Sequence, residues 1–198
     1  MPADFRHTRF LKSASALNDL PADAGYEVAF AGRSNAGKSS ALNAITGVNG
    51  LARVSKTPGR TQLINLFTID DTRRLIDLPG YGYAKVPEAV RLQWGQLMEQ
   101  YFSYRHVLAG LVLVMDIRHP LTEFDQRMLT WCTPLNLPVL ALLTKADKLT
   151  RNHANQAASA VSRQLANYPA AQVQVFSAVS RQGVGEAREV IAGWLQMT

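Results

Sequence analysis

Eight residues, 32–39, constrain this chain more strongly than any other segment. They read GRSNAGKS and fit the pattern G-x-x-x-x-G-K-[ST], with an apolar run at 28–31 directly before them and a helical pattern directly after. Between a strand and a helix, such a loop aims backbone N–H groups and the positive end of the helix dipole at phosphate oxygens. The pattern predicts that a nucleotide contacts the whole loop: Gly32, Arg33, Ser34, Asn35, Ala36, Gly37, Lys38 and Ser39.

Two side chains of this loop are expected to carry chemistry. Lys38 should reach the β- and γ-phosphates and act as a catalytic residue, because its charge opposes the charge that develops there. The Ser39 hydroxyl should be a ligand of Mg²⁺, which prefers hard oxygen atoms. The alternative is a glycine-rich turn with an exposed lysine, but the position between a strand and a helix favours the nucleotide site.

The chain from Glu27 onward alternates short apolar runs with amphipathic stretches, which is typical of an α/β fold whose mostly parallel sheet has helices on both faces. Asp70-Asp71 is too short for a crossover, so it joins an antiparallel hairpin at one edge of the sheet. Six strands are predicted, at 28–31, 62–69, 74–77, 111–116, 139–144 and 172–177. Five helices are predicted, at 38–46, 87–104, 123–133, 152–168 and 183–197.

Length and composition favour one domain. The 198 residues, 47% of them hydrophobic, are enough for one buried core and short for two. We expect residues 1–25 to form an irregular lead-in packed on a single domain, residues 26–198. The only cysteine, Cys132, excludes an internal disulfide and suits a reducing cytosol, so we interpret it as a core residue.

Hydropathy indicates where in the cell the protein is found, and net charge indicates which kind of partner it binds. The longest apolar run, 107–115, is far shorter than the roughly 18 residues that span a bilayer, and the first residues lack the apolar region of a signal peptide. We therefore expect a cytoplasmic protein with no membrane partner, and a monomer. The net charge of +6 and the pI of about 9.7 suit a polyanionic partner such as nucleic acid.

A second anchor for the phosphates follows the third predicted strand. Asp77, Leu78, Pro79 and Gly80 form a D-x-x-G sequence, in which Asp77 should hold Mg²⁺ through water. Gly80 should offer its backbone N–H to the γ-phosphate, which makes it a catalytic candidate and a contact that is lost on hydrolysis. A strand-end aspartate is more often a simple cap, but its pairing with the phosphate loop makes that reading weaker.

The base is expected to be read at the end of the fifth predicted strand. Asp147 could accept hydrogen bonds from guanine N1–H and N2–H₂, which adenine lacks, and the stem of Lys145 could cover the ring. The backbone of Ser177-Ala178, after the last strand, could face guanine O6. The predicted base contacts are Thr144, Lys145, Ala146, Asp147, Phe176, Ser177 and Ala178.

A loop without periodicity, residues 47–61, separates the first predicted helix from the second strand. It contains several glycines, and such a loop suits a switch that is ordered only around Mg²⁺ and the γ-phosphate. Thr61 is the preferred second ligand of Mg²⁺ and a catalytic candidate, with Thr57 as the rival. The nucleotide contacts predicted in this stretch and its continuation are Gly59, Arg60, Thr61, Gln62 and Leu63.

The segments GRSNAGKS, TPGRTQ, DLPGYGYAKV, TKAD and FSA occur in this order, and their spacing resembles the EngB (YihA or YsxC) family of bacterial GTPases. The similarity spans nearly the whole chain, and it includes Thr144 where most GTPases have asparagine. The resemblance implies a Ras-like fold and Mg²⁺-dependent GTP hydrolysis. It also implies association with the large ribosomal subunit during assembly, and a requirement in cell division and septation.

One position departs from Ras-like enzymes generally. Tyr81 follows Gly80 where those enzymes carry the glutamine that orients the attacking water, so the sequence predicts a low intrinsic rate of hydrolysis. K⁺ is a candidate second cation, since Asn35 occupies the position that helps bind K⁺ in related potassium-activated GTPases. Asn35 is equally well explained as a turn residue that stabilises the loop.

Part of the positive charge lies in the first expected switch, the loop at 47–61, or follows the second, which begins with the D-x-x-G segment. These basic residues could contact ribosomal RNA phosphates in the GTP state, and Tyr81 and Tyr83 could stack on bases. An ordinary solvated surface is the simpler explanation for any single cation. The basic residues concerned are Arg53, Lys56, Arg60, Lys85 and Arg91.

Three rival functions stay open on the sequence. A non-enzymatic RNA-binding module with a nucleotide-stabilised fold is the main alternative. An ATP-using phosphate-loop protein is opposed by Asp147. A tRNA-modifying enzyme would need a further domain, for which 198 residues leave no room.

Overall fold

A computed structural model describes residues 4–52, 63–80 and 87–197. Its centre is a seven-stranded sheet in the order β1-β3-β4-β2-β5-β6-β7. The strands are β1 Arg9–Ala14, β2 Tyr26–Gly32, β3 Ile64–Thr68, β4 Arg73–Asp77, β5 Leu108–Asp116, β6 Val139–Thr144 and β7 Ala171–Val175. β3 runs antiparallel to both of its neighbours, and the pairs formed by β4, β2, β5, β6 and β7 are parallel. The predicted fold class, a mostly parallel sheet with one antiparallel strand, is confirmed.

The sheet has one strand more than the sequence predicts. β1 lies within the segment predicted to be irregular, and it pairs with β3 outside the hairpin. Five of its six residues are exposed, so it lacks the buried alternation by which a strand is recognised. A register shift between Phe10 and Lys12 interrupts its ladder, as is common at sheet edges.

Within the described ranges, five α-helices cover the sheet. They are α1 Lys38–Thr46, α2 Glu88–Tyr104, α3 Glu123–Cys132, α4 Arg151–Gln164 and α5 Val184–Trp194. Side-chain caps fix two of their starts: Thr122 and Asp125 form a capping box at α3, and the Thr150 hydroxyl accepts a hydrogen bond from the His153 N–H at α4. The predicted helices are all present, but α4 ends earlier than expected because a short 3-10 turn, Leu165–Asn167, completes it. None of the helices in the described ranges is long and apolar enough to cross a membrane.

The two faces of the sheet bury separate apolar clusters. β2 shows the alternation directly, since Ala29 and Ala31 join one cluster while Val28 and Phe30 join the other. The first cluster lies under α2, α3 and α4, and the second under α1 and α5. Cys132 belongs to the first, where burial raises the pKa of its thiol to about 12, as expected for a core residue. The two cores hold the strand ends rigidly in register.

At the amino ends of the parallel strands, an ion-pair network is buried. The Glu27 carboxylate is fully buried and accepts hydrogen bonds from Arg74 Nε at 2.7 Å and from Arg105 Nε and Nη2 at 2.9 and 2.6 Å. The two arginines also donate to the backbone carbonyls of Ala24 and Pro21. The network therefore attaches the lead-in segment to the sheet.

The last helix supports the first. Arg188 of α5 donates from Nε to the Ile45 carbonyl at 2.5 Å, at the carboxyl end of α1. Gly47 ends α1 with a φ of 75°, a left-handed conformation that glycine adopts without strain. A β-carbon at Gly47 would lie 3.1 Å from Arg188 Nη2, so the turn and the arginine fit closely. α1 is thus held at its far end by a residue 143 positions later in the chain.

Candidate functional site

The described candidate residues come together just beyond the carboxyl ends of the parallel strands. The phosphate loop follows β2, the D-x-x-G segment begins at the end of β4, and Thr144 ends β6. Phe176, Ser177 and Ala178 follow β7. Ligands of open α/β sheets bind in this position, because loops from several strands converge there.

The phosphate loop has a backbone that suits its sequence. Asn35 and Gly37 have φ values of 64° and 96°, so the chain turns through two left-handed residues before α1 begins at Lys38. Gly32 packs tightly on β5, since a β-carbon there would lie 2.7 Å from the Val114 carbonyl oxygen. Both glycines of the pattern are therefore required by geometry, one for close approach and one for backbone conformation.

Lys38 and Asp77 form the central ion pair of the site, through Nζ and Oδ1. Their side chains are only 13% and 9% exposed, so this pair joins the phosphate loop to the D-x-x-G segment in a partly dehydrated position. Nearby in the loop, the Ser34 hydroxyl is buried without a hydrogen-bond partner among the described residues. A buried hydroxyl in need of a partner fits an oxygen-rich ligand such as a phosphate group.

The same residues suit Mg²⁺. A carboxylate and a serine hydroxyl, Asp77 and Ser39, are hard oxygen donors of the kind that Mg²⁺ prefers. Ser39 lies in the first turn of α1, one residue after Lys38. The chemistry of the donors therefore fits a Mg²⁺ ion shared with phosphate oxygens.

Thr144 connects the loop to the sheet. The residue is 3% exposed, and its hydroxyl lies within hydrogen-bond distance of two backbone carbonyls, those of Ala36 in the loop and, at 3.0 Å, of Met115 in β5. A β-carbon on Gly37 would approach the same hydroxyl to 3.4 Å. The sequence predicts a base contact here, and the structure places the hydroxyl under the phosphate loop.

Lys145 bridges the loop and the end of β5. Its Nζ donates to the Asn35 carbonyl at 2.6 Å and lies 2.9 Å from Asp116 Oδ2. Asp116 also accepts from Arg118 Nε at 2.9 Å and Nη2 at 2.7 Å, and these bonds hold the pKa of the carboxyl well below its usual range. Sequence reasoning missed Asp116 and Arg118. The signal was a strand-end aspartate two residues before an arginine, which is too common to single out.

Asp147 is held by Ser177. The Ser177 hydroxyl donates to Asp147 Oδ1 at 2.6 Å and lowers the pKa of the carboxyl, so it stays ionised and can accept hydrogen bonds. The backbone N–H of Ser177 donates to the Gln182 carbonyl at 3.0 Å. The Ala178 N–H is therefore the better candidate for guanine O6. Ala146 and Phe176 connect the two segments, since the Ala146 N–H donates to the Phe176 carbonyl at 3.1 Å.

The backbone of the D-x-x-G segment lies against β2 and the first residue of the phosphate loop. The Leu78 N–H donates to the Phe30 carbonyl at 2.9 Å, and a β-carbon on Gly80 would lie 3.7 Å from the Gly32 carbonyl oxygen. Trp94 of α2 donates from Nε1 to the Pro79 carbonyl at 3.2 Å. These two hydrogen bonds hold Leu78 and Pro79 in place, directly before Gly80, the glycine that is expected to contact the γ-phosphate.

Several predicted residues lie outside the described ranges. Leu63 is the only described member of the predicted contact set at 59–63. The candidates that the structure does not describe are Arg53, Lys56, Thr57, Gly59, Arg60, Thr61, Gln62, Tyr81, Tyr83 and Lys85.

Comparison with known proteins agrees with this geometry. Residues 27–145 match the family model described as 50S ribosome-binding GTPase. A probable GTP-binding protein EngB of Methylobacillus flagellatus is 57% identical over 192 residues, which cover 96% of this chain and 93% of that protein. A second, of Nitrosococcus oceani, is 55% identical and covers 96% of each chain. This chain belongs to the EngB family.

Solved structures carry the same fold. A crystal structure of a probable GTP-binding protein engB matches 87% of this chain and 100% of that one, with a TM-score of 0.69 and 20% identity. Era in complex with MgGDPNP and a segment of 16S ribosomal RNA matches 86% of this chain and 57% of that one, with a TM-score of 0.64 and 20% identity. Membership in the EngB family makes this chain a GTP-binding protein and a GTPase.

Proposed function

We propose that the site binds GTP with Mg²⁺ in the arrangement that the ion pair between Lys38 and Asp77 indicates. When nucleotide binds, Lys38 turns from Asp77 to the β- and γ-phosphates, and Asp77 is left to hold Mg²⁺ through water. Ser39 is the loop's ligand to the ion, which supplies charge neutralisation on the phosphates. The observation that supports this proposal is the location of the pair between the two phosphate-contacting segments.

The base is proposed to be recognised by Asp147, with Ala178 facing O6 and Lys145 over the ring. Asp147 accepts two hydrogen bonds from guanine, whereas adenine would cover the same carboxylate without pairing it, which disfavours ATP. Displacement of a fluorescent guanine nucleotide tests the assignment. GTP and GDP should compete and ATP should not; equal competition by ATP would contradict it.

The D-x-x-G segment and the loop at 47–61 are proposed to contribute to hydrolysis. Gly80 contacts the γ-phosphate through its N–H, and Thr61, with the neighbouring residues 59–63, closes over Mg²⁺ in the GTP state. Because Tyr81 replaces a water-orienting glutamine, the intrinsic rate is low. We expect K⁺ to raise it through Asn35, whose positive φ turns the loop at that point. Turnover measured at saturating GTP in KCl and in NaCl tests this, and equal rates would exclude K⁺ activation.

We further propose that the GTP cycle acts as a switch in assembly of the large ribosomal subunit, and through ribosome supply in normal cell division and septation. The family description, 50S ribosome-binding GTPase, supports the ribosomal partner. The net charge of +6 suits ribosomal RNA, whose phosphates would meet the basic residues Arg53, Lys56, Arg60, Lys85 and Arg91. The protein is proposed to work as a cytoplasmic monomer.

Co-sedimentation with ribosomal subunits tests the switch. The protein should pellet with the large subunit in the presence of a non-hydrolysable GTP analogue and be released with GDP or without nucleotide. Small subunits are the matched control. Association that ignores the nucleotide would overturn the switch while leaving the GTP site intact.

Reversal of charge tests the RNA contact separately. Arg53→Glu with Lys56→Glu should weaken large-subunit binding and reduce its dependence on salt, while GTP affinity stays unchanged. If subunit binding is unchanged, the first loop is not the RNA-contacting surface.

A further inference from the structure

We propose that Asp116 is a positioning residue for the guanine base: its carboxylate fixes the side chain of Lys145 in the extended form that covers the ring. The inference rests on the nucleotide site proposed above and adds a residue that lies outside the five sequence segments that form it. It follows from contacts at the end of β5, next to Thr144 and the phosphate loop.

The position of Asp116 is set by the sheet. In the parallel register of β5 and β6, Asp116 is the partner of Thr144. Lys145 is the next residue after Thr144, so its side chain lies close to that of Asp116. The Asp116 side chain is 14% exposed, and the two strands that carry the pair are buried on both faces. The carboxylate is therefore held by rigid elements rather than by a loop.

Lys145 is fixed at both ends. Its backbone has a φ of 60°, a left-handed conformation that costs energy for a side chain of this size. Its Nζ contacts the Asn35 carbonyl at 2.6 Å and Asp116 Oδ2 at 2.9 Å. A free lysine side chain loses rotamer entropy when it is ordered. Because these two contacts order the stem before nucleotide arrives, binding no longer has to order it.

Arg118 fixes the carboxylate in turn. It donates its backbone N–H at 3.1 Å and its Nε at 2.9 Å to Oδ1, and Nη2 at 2.7 Å to Oδ2. This leaves Asp116 with one orientation, in which Oδ2 faces Lys145 Nζ. Asp116 therefore acts on the nucleotide only through Lys145.

Lys148 shows what the arrangement adds. It also lies beside an aspartate, Asp147, but its Nζ is 3.6 Å away and its side chain is 60% exposed. That pair is long and solvated, and such pairs order a lysine weakly. Lys148 is therefore only a neighbour of the base site, whereas Lys145 is held in place by its partners.

A double-mutant cycle on GDP dissociation tests the proposal. Release of a fluorescent GDP is followed after addition of excess unlabelled GDP, in the parent, Asp116→Asn, Lys145→Ala and the double variant. Asp116→Asn should release GDP about tenfold faster, which is the effect of one charge-assisted hydrogen bond. In the Lys145→Ala background it should change the rate less than about twofold, because its route to the base is gone.

Asp70→Asn is the matched control. Asp70 also pairs with one arginine, Arg73 Nη1 at 2.9 Å, but in the turn between β3 and β4, away from the site. It should leave GDP dissociation unchanged. Equal acceleration by Asp116→Asn in the parent and in the Lys145→Ala background would overturn the proposal, and so would no acceleration in the parent.

Lys145→Met keeps the test decisive if Asp116→Asn fails to fold. It retains the apolar stem and loses only the two Nζ contacts, so it should release GDP nearly as fast as Lys145→Ala. Release at the parent rate would mean that the stem needs no anchor and would overturn the proposal. Failure of the parent protein to bind GDP would instead contradict the nucleotide site itself.

Discussion

Two buried ion pairs lie at opposite ends of the parallel strands, and they differ in construction. At the amino ends, Glu27 accepts three hydrogen bonds from two arginines, which also bind backbone carbonyls. At the carboxyl ends, Lys38 and Asp77 meet through one pair of atoms. A carboxylate with several fixed donors is structural, whereas a two-member pair between the phosphate loop and the D-x-x-G segment can exchange its partners for a ligand.

The largest expected effect is on the amino-end network. Glu27→Gln should lower the free energy of unfolding by about 3–5 kcal/mol, because the buried Arg74 loses its carboxylate partner and Arg105 keeps only Asp23, whose Oδ1 is 3.7 Å from its Nη1. Urea denaturation measures the loss. Asp4→Asn, which removes the exposed pair with Arg6, is the control and should leave the urea midpoint unchanged. If both variants behave alike, the network is not what holds the lead-in segment.

Lys38→Met should affect nucleotide binding and hydrolysis more than it affects the stability of the fold. Lys38 is proposed to bind the β- and γ-phosphates, so removing its charge should weaken GTP binding and slow hydrolysis at least about 100-fold, since each charge-assisted hydrogen bond contributes about 1.5–3 kcal/mol. Without nucleotide, its unfolding free energy should fall less than that of Glu27→Gln. Phosphate release and urea denaturation measure the two quantities, with Lys12→Met on exposed β1 as the control. The proposed difference between the two ion pairs would be contradicted if Lys38→Met lost more free energy of unfolding than free energy of GTP binding.

Thr144→Val should produce an intermediate, mixed effect. It leaves the Ala36 and Met115 carbonyls without the threonine hydroxyl, so stability should fall by about 1–3 kcal/mol and GDP should dissociate about tenfold faster. Thr130→Val is the control, because that hydroxyl donates to the Gln126 carbonyl on an exposed helix surface. Loss of stability with an unchanged rate of GDP release would make Thr144 purely structural.

Ser177→Ala should have the smallest effect and one that depends on pH. Ser177 holds the pKa of Asp147 below its ordinary value, so its loss should raise that pKa and weaken GDP binding about fivefold, the effect of roughly 1 kcal/mol. As pH falls, affinity should be lost at a higher pH than in the parent protein. Titration of fluorescent GDP from neutral to acid pH measures both changes.

Ser15→Ala is the control for this pH effect, because Ser15 lowers the pKa of the exposed Asp19 by the same kind of hydrogen bond, far from the base. It should leave the affinity and its pH profile unchanged. An acid limb that does not move in Ser177→Ala would show that Asp147 is not the group that binds guanine.

The parts of the fold that sequence predicts are those with a local signal. The apolar runs of β2, β5 and β6 and the helical pattern of α1 are visible in the residues themselves. β1 is not, because it exists through pairing with β3, more than 50 residues away: Ser13 lies opposite Asn65, and their side chains share a hydrogen bond across 52 positions. Pairing over such distances leaves no periodicity in the strand itself.

The candidate site divides in the same way. The phosphate loop and Asp147 are visible as short patterns, and the structure places them at one edge of the sheet. The hydroxyl of Ser177 on Asp147 and the carboxylate of Asp116 on Lys145 join residues about 30 positions apart, and each partner is an ordinary residue type on its own. Such contacts depend on the register of β5, β6 and β7, which only the folded chain supplies.

The contact between Arg188 and the Ile45 carbonyl has a consequence for synthesis. Helix α1 forms early in the chain, but the arginine that holds its carboxyl end is translated 143 residues later. Ser177, which holds Asp147, also comes from the last part of the chain. Because folding during synthesis proceeds from the amino end, the nascent protein passes through a long interval in which its phosphate loop is complete in sequence but not yet supported. We therefore expect the ability to bind nucleotide to arise late in synthesis, after the last helix has been made.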